Sequence, residues 1–295
     1  MICRELKRVI VGVAVISCLW LQVQGNGPIL LEENCGVVHQ FAQRIVNGVP
    51  AGLGAYPWMA FLHTPTHFKC AGSLINNRFV LTAAHCLKED ALELIVRLGE
   101  YNRDTRIDCA NHYCQDAAQE YGVAWAIKHK LFNEEDLSHD IAVLMVDRNV
   151  EYLPHIRPIC IFLDERVKTQ VDGFKWFTAS GWGLTSGEPN AQTSRILREL
   201  RINRRPTEDC IRALSQRLIP EQICAGNDAS NLCRGDSGGP QGRVFKYNGT
   251  ERFTQLGIAS YTTPGCVNVS VLTDVISYGK WIKRVVQHYT PTNEM

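Results

Sequence analysis

The sequence lacks an excess of charge of either sign, because 31 lysines and arginines face 30 aspartates and glutamates. A balance this close to neutral gives no electrostatic argument for binding nucleic acid or a membrane surface. Internal repeats, low-complexity tracts and interdomain linkers are also missing. With 295 residues, 45% of them hydrophobic, the chain can bury a sizeable core. All-β folds of roughly 200–250 residues often form a single domain.

Long apolar runs are absent except near the start of the chain. Arg4, Lys7 and Arg8 precede the apolar run Val9–Val23, and the small residue Gly25 follows it. This order is typical of a cleaved secretion signal. A membrane anchor is the alternative, but spanning a bilayer takes about 20 apolar residues and this run is shorter. We therefore expect a signal peptide at residues 1–25 and a secreted, extracellular protein.

Closely spaced pairs of the form C-x-x-C are absent, although the chain has 12 cysteines. Two of them fall within the predicted signal peptide, which leaves an even number for an oxidising compartment. Disulfides are therefore favoured over zinc binding. Cys109 and Cys114 are close enough to bridge within one loop, and Cys70 and Cys86 bracket a hairpin-like segment. The rest of the connectivity stays open on spacing alone.

From Ile45 to about Val275, short apolar or alternating runs are separated by turn residues. Many short strands with Gly, Pro and Asn between them predict an all-β sandwich or barrel. The runs are Trp58–His63, Phe79–Thr82, Leu94–Leu98, Val123–Ile127, Ile141–Val146, Trp176–Ala179 and Phe253–Tyr261. The last segment differs, because apolar residues recur at helical spacing and predict an amphipathic helix over Asp274–His288.

Two N-x-S/T sequons, at Asn248 and Asn268, are candidate glycosylation sites on a secretory route. Asn248-Gly249 also predicts a tight hairpin turn between Val244–Tyr247 and Arg252–Leu256. The two interpretations of Asn248 are compatible.

Three local motifs carry residues suited to one chemistry: Thr82-Ala83-Ala84-His85-Cys86, Asp140-Ile141-Ala142-Val143 and Gly235-Asp236-Ser237-Gly238-Gly239-Pro240. A serine hydroxyl is a weak nucleophile and needs a base within hydrogen-bond reach, which a histidine supplies near neutral pH. A buried carboxylate holds the imidazole in the useful tautomer. Glycines around the serine let backbone N–H groups face the oxyanion that forms during acyl transfer.

In the order His, Asp, Ser, these motifs resemble the chymotrypsin–trypsin (S1) family of serine proteases. The resemblance runs from Arg44 to roughly Tyr289 and includes Ser180–Gly183, Ile223–Gly226 and Tyr278–Ile282. It implies an all-β fold of two six-stranded antiparallel β-barrels with a C-terminal α-helix. It also implies a secreted serine endopeptidase that hydrolyses peptide bonds in extracellular proteins. His85 would be the general base, Asp140 its orienting carboxylate and Ser237 the nucleophile, with the N–H groups of Gly235 and Ser237 as the oxyanion hole.

The resemblance also implies a disulfide pattern. It pairs Cys70 with Cys86, Cys210 with Cys224, and Cys233 with Cys266. Cys35 and Cys160 resemble the link that keeps a cleaved propeptide attached, and Cys109–Cys114 is similar to the extra loop bridge of arthropod clip-type proteases. The six-cysteine clip module itself is missing, since only Cys35 lies between the signal peptide and the protease domain.

Arg44-Ile45-Val46-Asn47-Gly48 resembles the activation site of the family, which divides the chain into a propeptide at 26–44 and a peptidase domain at 45–295. Cutting after Arg44 would free the α-amino group of Ile45 to pair with Asp236. A buried carboxylate without a partner is costly, so the new ammonium would order the loop around Ser237. The alternative is an exposed arginine that is never cut.

The resemblance is weakest in the specificity pocket. Asn231 lies six residues before Ser237, where trypsin-like members carry an aspartate. In Ser260-Tyr261-Thr262 and at Ser270, side chains replace the glycines that usually line the pocket walls. We therefore predict a pocket that is not trypsin-like and a preference for small or medium uncharged residues before the cut. Such an enzyme would not cut its own Arg44, which implies a separate Arg-specific activating protease.

The remaining expectations concern cofactors, partners and rival functions. No cofactor is expected, with calcium at Glu100 and Glu120 as the less favoured alternative. The expected protein is a monomer with protein substrates and a serpin-type inhibitor as a candidate partner, without nucleic-acid or membrane binding. The main rival is a catalytically impaired homologue that binds partners in a protease cascade. A lipase or esterase would need the order Ser, Asp, His, so that alternative is set aside.

Overall fold

The structure is a computed structural model that describes residues 30–37, 48–88, 91–110, 112–188, 190–228 and 230–290. The predicted signal peptide, most of the predicted propeptide and the activation residues Arg44 and Ile45 lie outside these ranges. Within them, strands dominate, and two closed β-barrels form the body of the protein.

The first barrel has six antiparallel strands in the spatial order β2-β3-β4-β9-β8-β5. These strands are β2 (Met59–His63), β3 (Phe68–Leu74), β4 (Phe79–Thr82), β5 (Ile95–Leu98), β8 (Gln119–Lys128) and β9 (Ala142–Val146). Every residue of β2, β4 and β9 is buried, which matches their continuous apolar sequence. Side chains from these strands form one shared hydrophobic core.

The second barrel is built from the strands that follow. They are β10 (Trp176–Gly181), β11 (Arg198–Arg204), β12 (Gln222–Gly226), β13 (Pro240–Tyr247), β14 (Thr250–Thr262) and β15 (Ser270–Asp274). The order β11-β10-β13-β14-β15-β12 closes because β12 also pairs with β11. The short strand β1 (Val49–Pro50) adds to the outer side of β11. The predicted pair of six-stranded barrels is therefore confirmed.

The predicted hairpin turn is also present, since Asn248 and Gly249 join β13 to β14 with φ angles of 47° and 79°. A separate hairpin, β6 (Asp108–Ala110) with β7 (Tyr113–Gln115), carries the Cys109–Cys114 bridge. The described residues contain five disulfides, and these join the five pairs that the family resemblance implies. Cys35–Cys160 fastens the segment before the barrels to the body of the protein.

The described helices are short: α1 (Lys168–Asp172), α2 (Thr207–Leu214) and α3 (Gly279–Tyr289). The predicted terminal helix begins later than expected, because Val275–Tyr278 forms a 3-10 turn before α3. Asp274 caps that turn by accepting a hydrogen bond from the Ile276 amide. Ile282, Val285 and Val286 are the buried face of α3. Within the described ranges, no helix combines the length and apolar character needed to cross a membrane.

Candidate active site

His85 lies directly after β4, in the 3-10 turn Ala84–Cys86. The neighbouring Cys86 is bonded to Cys70 of β3, so the turn is fastened to the first barrel on both sides. The imidazole is partly accessible, with 26% of its side-chain surface exposed. A histidine held this way has a fixed backbone and one face open to a ligand.

Asp140 lies just before β9 and is completely buried. Its Oδ2 accepts a hydrogen bond of 2.7 Å from Nδ1 of His85, and its Oδ1 accepts one of 2.9 Å from the His85 backbone amide. Ser260 donates a third bond of 2.5 Å to Oδ2. Three hydrogen bonds thus hold the buried Asp140 carboxylate in place.

This pairing fixes the state of the imidazole. An ionised carboxylate can only accept, so Nδ1 of His85 carries the proton and Nε2 is left as an acceptor. Nε2 is thereby prepared to take a proton from a nucleophile on the open side of the ring.

The Ser237 loop joins β12 to β13 and docks on the strands that carry His85. The Ser237 carbonyl accepts a bond of 2.8 Å from the amide of Ala71. Gly238 follows in a left-handed conformation with φ 77°, and a Cβ there would lie 2.1 Å from Oγ1 of Thr82. Only glycine permits this approach, which holds the serine loop against the segment that leads into His85.

Among the described residues, no hydrogen bond joins the Ser237 hydroxyl to the His85 imidazole. Sγ of Cys86 lies 3.9 Å from Nε2, but a disulfide sulfur has no proton to donate. The backbone N–H groups of Gly235 and Ser237 also have no acceptor among the described residues. The structure thus joins the predicted base to the predicted orienting carboxylate, whereas the predicted nucleophile lies in a neighbouring loop without a hydrogen bond to His85.

Asp236 is packed against a glycine-rich segment of β10 and the residues after it. Its carboxylate accepts bonds from the amides of Gly183, at 2.8 Å, and Cys233, at 3.0 Å. A Cβ on Gly181 or Gly183 would come within 2.2 or 2.4 Å of the carboxyl group. Burial raises the pKa of Asp236 to about 6, and the two amide bonds only partly counter this. Among the described residues, the Asp236 carboxylate has no cationic partner.

A cavity of about 240 Å³ opens beside Asp236. Gly48, the first described residue after the predicted cleavage site, lines the same cavity, as do Arg198 and Glu199. Arg198 donates to the Gly48 carbonyl, and Tyr56 donates to the Glu199 carboxylate. Burial raises the pKa of Glu199. Gly48 is thus held by Arg198 beside the cavity that Asp236 also lines.

The predicted pocket residues form one hydrogen-bonded cluster. Thr262 and Ser270 are cross-strand partners on β14 and β15, and their hydroxyl oxygens lie 3.1 Å apart. Ser270 is fully buried and also donates to Oδ1 of Asn231 at 2.9 Å. Nδ2 of Asn231 is buried and has no hydrogen-bond partner in the part of the chain that the structure describes. The structure therefore brings Asn231, Thr262 and Ser270 together, while the hydroxyl of Ser260 is directed to Asp140 instead.

The residues considered for calcium do not form a cation site. Arg97 donates to Oε1 of Glu120 at 2.6 Å and to Oε2 of Glu100 at 3.1 Å. Burial raises the pKa of Glu100, although the bonds from Arg97 oppose this. The guanidinium thus lies between the two carboxylates in this structure.

Potential metal ligands also converge at Cys70, Cys86 and His85, whose ligand atoms lie within 4.8 Å of one another. The two cysteines form a disulfide, so neither can supply a thiolate. This cluster is structural.

Three contacts of the site could not be found from local sequence. Ser260 supports Asp140 from 120 residues away, Thr273 donates to the Asp140 carbonyl at 2.8 Å, and Ala71 holds the Ser237 carbonyl. No motif marks these residues, because each acts through tertiary pairing. One supporting contact did have a sequence signal. Ser180–Gly183 matches the family, and its glycines Gly181 and Gly183 leave room for the Asp236 carboxyl group.

Known proteins resemble this chain in both sequence and structure. The family model described as Trypsin matches residues 45–282. Serine protease grass from Drosophila melanogaster is 30% identical over 291 residues, which cover 92% of this chain and 76% of that protein. Spaetzle-processing enzyme from the same species is 33% identical, with coverage of 86% and 68%. Phenoloxidase-activating factor 1 from Holotrichia diomphalia is 32% identical, with coverage of 88% and 74%.

Among solved structures, the crystal structure of Drosophila Grass, a clip serine protease of the Toll pathway, is similar to this chain. The TM-score is 0.78 at 29% sequence identity, over 88% of this chain and 77% of that one. The similarity therefore covers both barrels.

Proposed function

Because the chain belongs to the trypsin family of serine proteases, we propose that it is a secreted endopeptidase made as an inactive precursor. The observation that carries this proposal is the fully buried Asp140 bonded to Nδ1 of His85, beside the docked Ser237 loop. The substrates are extracellular proteins, and hydrolysis proceeds through an acyl-enzyme on Ser237.

In the proposed mechanism, Nε2 of His85 removes the proton of Ser237 as the hydroxyl attacks the scissile carbonyl. Asp140 holds the proton on Nδ1 and stabilises the imidazolium that forms. The N–H groups of Gly235 and Ser237 donate to the tetrahedral oxyanion, and His85 then returns the proton to the leaving amine. Water repeats the sequence to release the acyl group and regenerate the serine.

Activation would occur by cleavage after Arg44. Ile45 precedes Gly48 by three residues, and an extended chain of that length spans about 10 Å. Gly48 lines the cavity that contains Asp236, so the new α-ammonium of Ile45 can reach the carboxylate. Pairing removes the penalty of an uncompensated buried charge and orders the loop that carries Ser237 and Gly235.

The proposed specificity is for small or medium uncharged residues before the cut. Asn231 supplies no negative charge, and the hydroxyls of Thr262 and Ser270 occupy positions where a long side chain would enter. An Arg-specific protease is then needed to cut Arg44. The proposed setting is a protease cascade with a serpin-type inhibitor as a candidate partner and a monomeric enzyme. Asn248 and Asn268, both exposed, are the candidate glycosylation sites.

The rival function is a non-catalytic homologue that binds partners. The absence of a Ser237–His85 hydrogen bond among the described residues favours it, as do the Thr262 and Ser270 side chains at the predicted pocket. Fluorophosphonate labelling distinguishes the two after cleavage at Arg44, with Ser237→Ala as the control. Stable modification of Ser237 supports the enzyme. Failure of the cut protein to label, while trypsin labels under the same conditions, would establish the rival.

A further inference from the structure

The outer surface of the second barrel carries an unusual arrangement of arginines around one aromatic side chain. Trp176 lies on β10, Arg201 on β11 and Arg243 on β13, and β10 runs between the other two strands. The guanidinium carbons lie 4.5 Å (Arg201) and 4.1 Å (Arg243) from the centre of the Trp176 ring. Arg243 also lies 4.7 Å from the ring of Phe174. We call these four residues the arginine–tryptophan patch.

The positive charge of the patch is not neutralised. Arg201 and Arg243 form no ion pair among the described residues, and Arg201 is exposed. The nearby carboxylate of Asp172 is engaged by Lys168, at 3.1 Å, and by Arg204, at 3.8 Å. By contrast, the exposed Arg148 and Arg195 each pair with an aspartate.

Stacking on an aromatic ring holds a guanidinium in place while its N–H groups stay available. Both guanidinium carbons lie within 4.5 Å of the same ring centre, so the two groups, on strands that flank β10, are less than about 9 Å apart. Planar guanidinium groups bind sulfate, phosphate and carboxylate through paired hydrogen bonds. The patch is therefore preorganised for a ligand that carries repeated anionic groups.

The chemical class of that ligand follows from the small amount of free apolar surface at the patch. Protein interfaces usually depend on buried aromatic or apolar anchors, and here the rings of Trp176 and Phe174 are already covered by guanidinium groups. Membrane-surface sites need exposed apolar side chains as well as basic ones. Val244 is the one large exposed apolar residue next to Arg243 on β13. A polar polyanion fits best.

We propose that the arginine–tryptophan patch binds a sulfated polysaccharide. The patch lies at the end of β10 opposite Gly181, the glycine against the Asp236 carboxyl group. Six residues of strand separate the two by about 17 Å. Binding at the patch therefore holds the protein on an extracellular matrix without blocking His85 or the Asp236 cavity.

The test uses the full-length precursor and immobilised heparin as the probe, eluted with a salt gradient. The double substitution Arg201→Gln with Arg243→Gln removes both stacked charges. It weakens heparin binding by at least about tenfold, the scale of one charge-assisted hydrogen bond. The matched control, Arg148→Gln with Arg195→Gln, removes the same two charges from ion-paired positions and leaves elution nearly unchanged.

A charge-preserving variant, Arg201→Lys with Arg243→Lys, elutes between the wild type and the Gln double variant, because lysine lacks the planar donor arrangement. Thermal unfolding of each variant verifies that it is folded. Equal losses in the patch and control variants would overturn the proposal, as would no binding of the wild type at physiological salt. Tighter binding to phosphatidylserine vesicles or to a polyglutamate peptide than to heparin would also overturn it.

Discussion

The carboxylate of Asp236 lies against the bare Cα of Gly183, whose amide donates a hydrogen bond of 2.8 Å to Oδ1. A methyl group at residue 183 would stand 2.4 Å from Cγ of Asp236. The carboxylate and the glycine therefore form one unit, and neither can change without displacing the other.

Gly183→Ala is expected to destabilise the precursor by about 1–3 kcal/mol, because overpacking a filled site forces the neighbouring groups apart. Thermal and denaturant unfolding of a Ser237→Ala background measure this without self-digestion. Gly173→Ala is the control, since its added Cβ would meet nothing closer than 3.3 Å. Equal stability of the two variants would show that Asp236 can move at little cost.

The stability of the uncut chain is expected to depend on the ionisation of Asp236. Its pKa rises from 3.8 to about 6 in the folded protein, so the folded state binds the proton more tightly than the unfolded state. Folding stability is then lost as pH rises between these values, by roughly 2–3 kcal/mol. Asp236→Asn removes this loss.

The measurement compares urea unfolding of the Ser237→Ala precursor, with and without Asp236→Asn, from pH 4 to pH 7. The difference between the two proteins should grow in favour of the Asn variant as pH rises. Cleavage at Arg44 should reverse the trend, because the paired ammonium lowers the pKa of the carboxylate. A difference that stays constant with pH would mean that Asp236 ionises freely in the uncut chain.

Ser260→Ala is expected to lower the kcat of the cleaved enzyme by about tenfold, which corresponds to roughly 1.4 kcal/mol in the transition state. The reason is the loss of a 2.5 Å hydrogen bond that orients Asp140. Ser73→Ala is the matched control, because Ser73 is a buried serine bonded to Gln255 and not to the triad. Unchanged turnover in the Ser260 variant, or an equal loss in both, would remove Ser260 from the positioning of the triad.

The primary specificity should change only when charge and space are restored together. Combining Asn231→Asp, Thr262→Gly and Ser270→Gly is expected to raise kcat/KM for Arg-ended peptides by at least about tenfold, since a buried ion pair needs both access and a partner. Asn231→Asp alone should gain little, because the Thr262 and Ser270 side chains remain. Efficient cleavage after Arg by the wild-type enzyme would contradict this interpretation of the pocket.

Calcium should not stabilise the protein. Addition of CaCl₂ or EDTA is expected to leave the unfolding temperature unchanged, because Arg97 already bridges Glu100 and Glu120. Arg97→Ala should cost about 2–3 kcal/mol, since it leaves the buried Glu100 without its charged donor. A rise in unfolding temperature on adding calcium to the wild type would show that the carboxylates can release Arg97 for a metal.

The strands and the terminal helix could be predicted because their signals are local, whereas the arrangement in two six-stranded barrels came from the family resemblance. Short apolar runs between turn residues, the Asn248-Gly249 turn and the three motifs around His85, Asp140 and Ser237 can be found without knowing any distant contact. The helix boundary was less accurate, since both a 3-10 turn and an α-helix satisfy the same apolar spacing at Val275–Tyr278.

The supporting contacts of the site could not be predicted in the same way. Ser260 reaches Asp140 across 120 residues of sequence, and Arg97 lies between two glutamates on the first barrel. Such contacts depend on the register of β14 against β15 and of β5 against β8, which no local pattern specifies. The sequence interpretation therefore placed Ser260 at the substrate pocket, whereas its hydroxyl supports Asp140.

The disulfide between Cys35 and Cys160 has a consequence for any cut made at Arg44. Scission there would convert one polypeptide into two without releasing a fragment, so the product keeps the mass of the starting protein until a reductant is added. The cleaved propeptide, residues 26–44, would stay at high local concentration beside the second barrel instead of diffusing away. Any molecule that binds the propeptide would therefore remain attached to the cleaved protein.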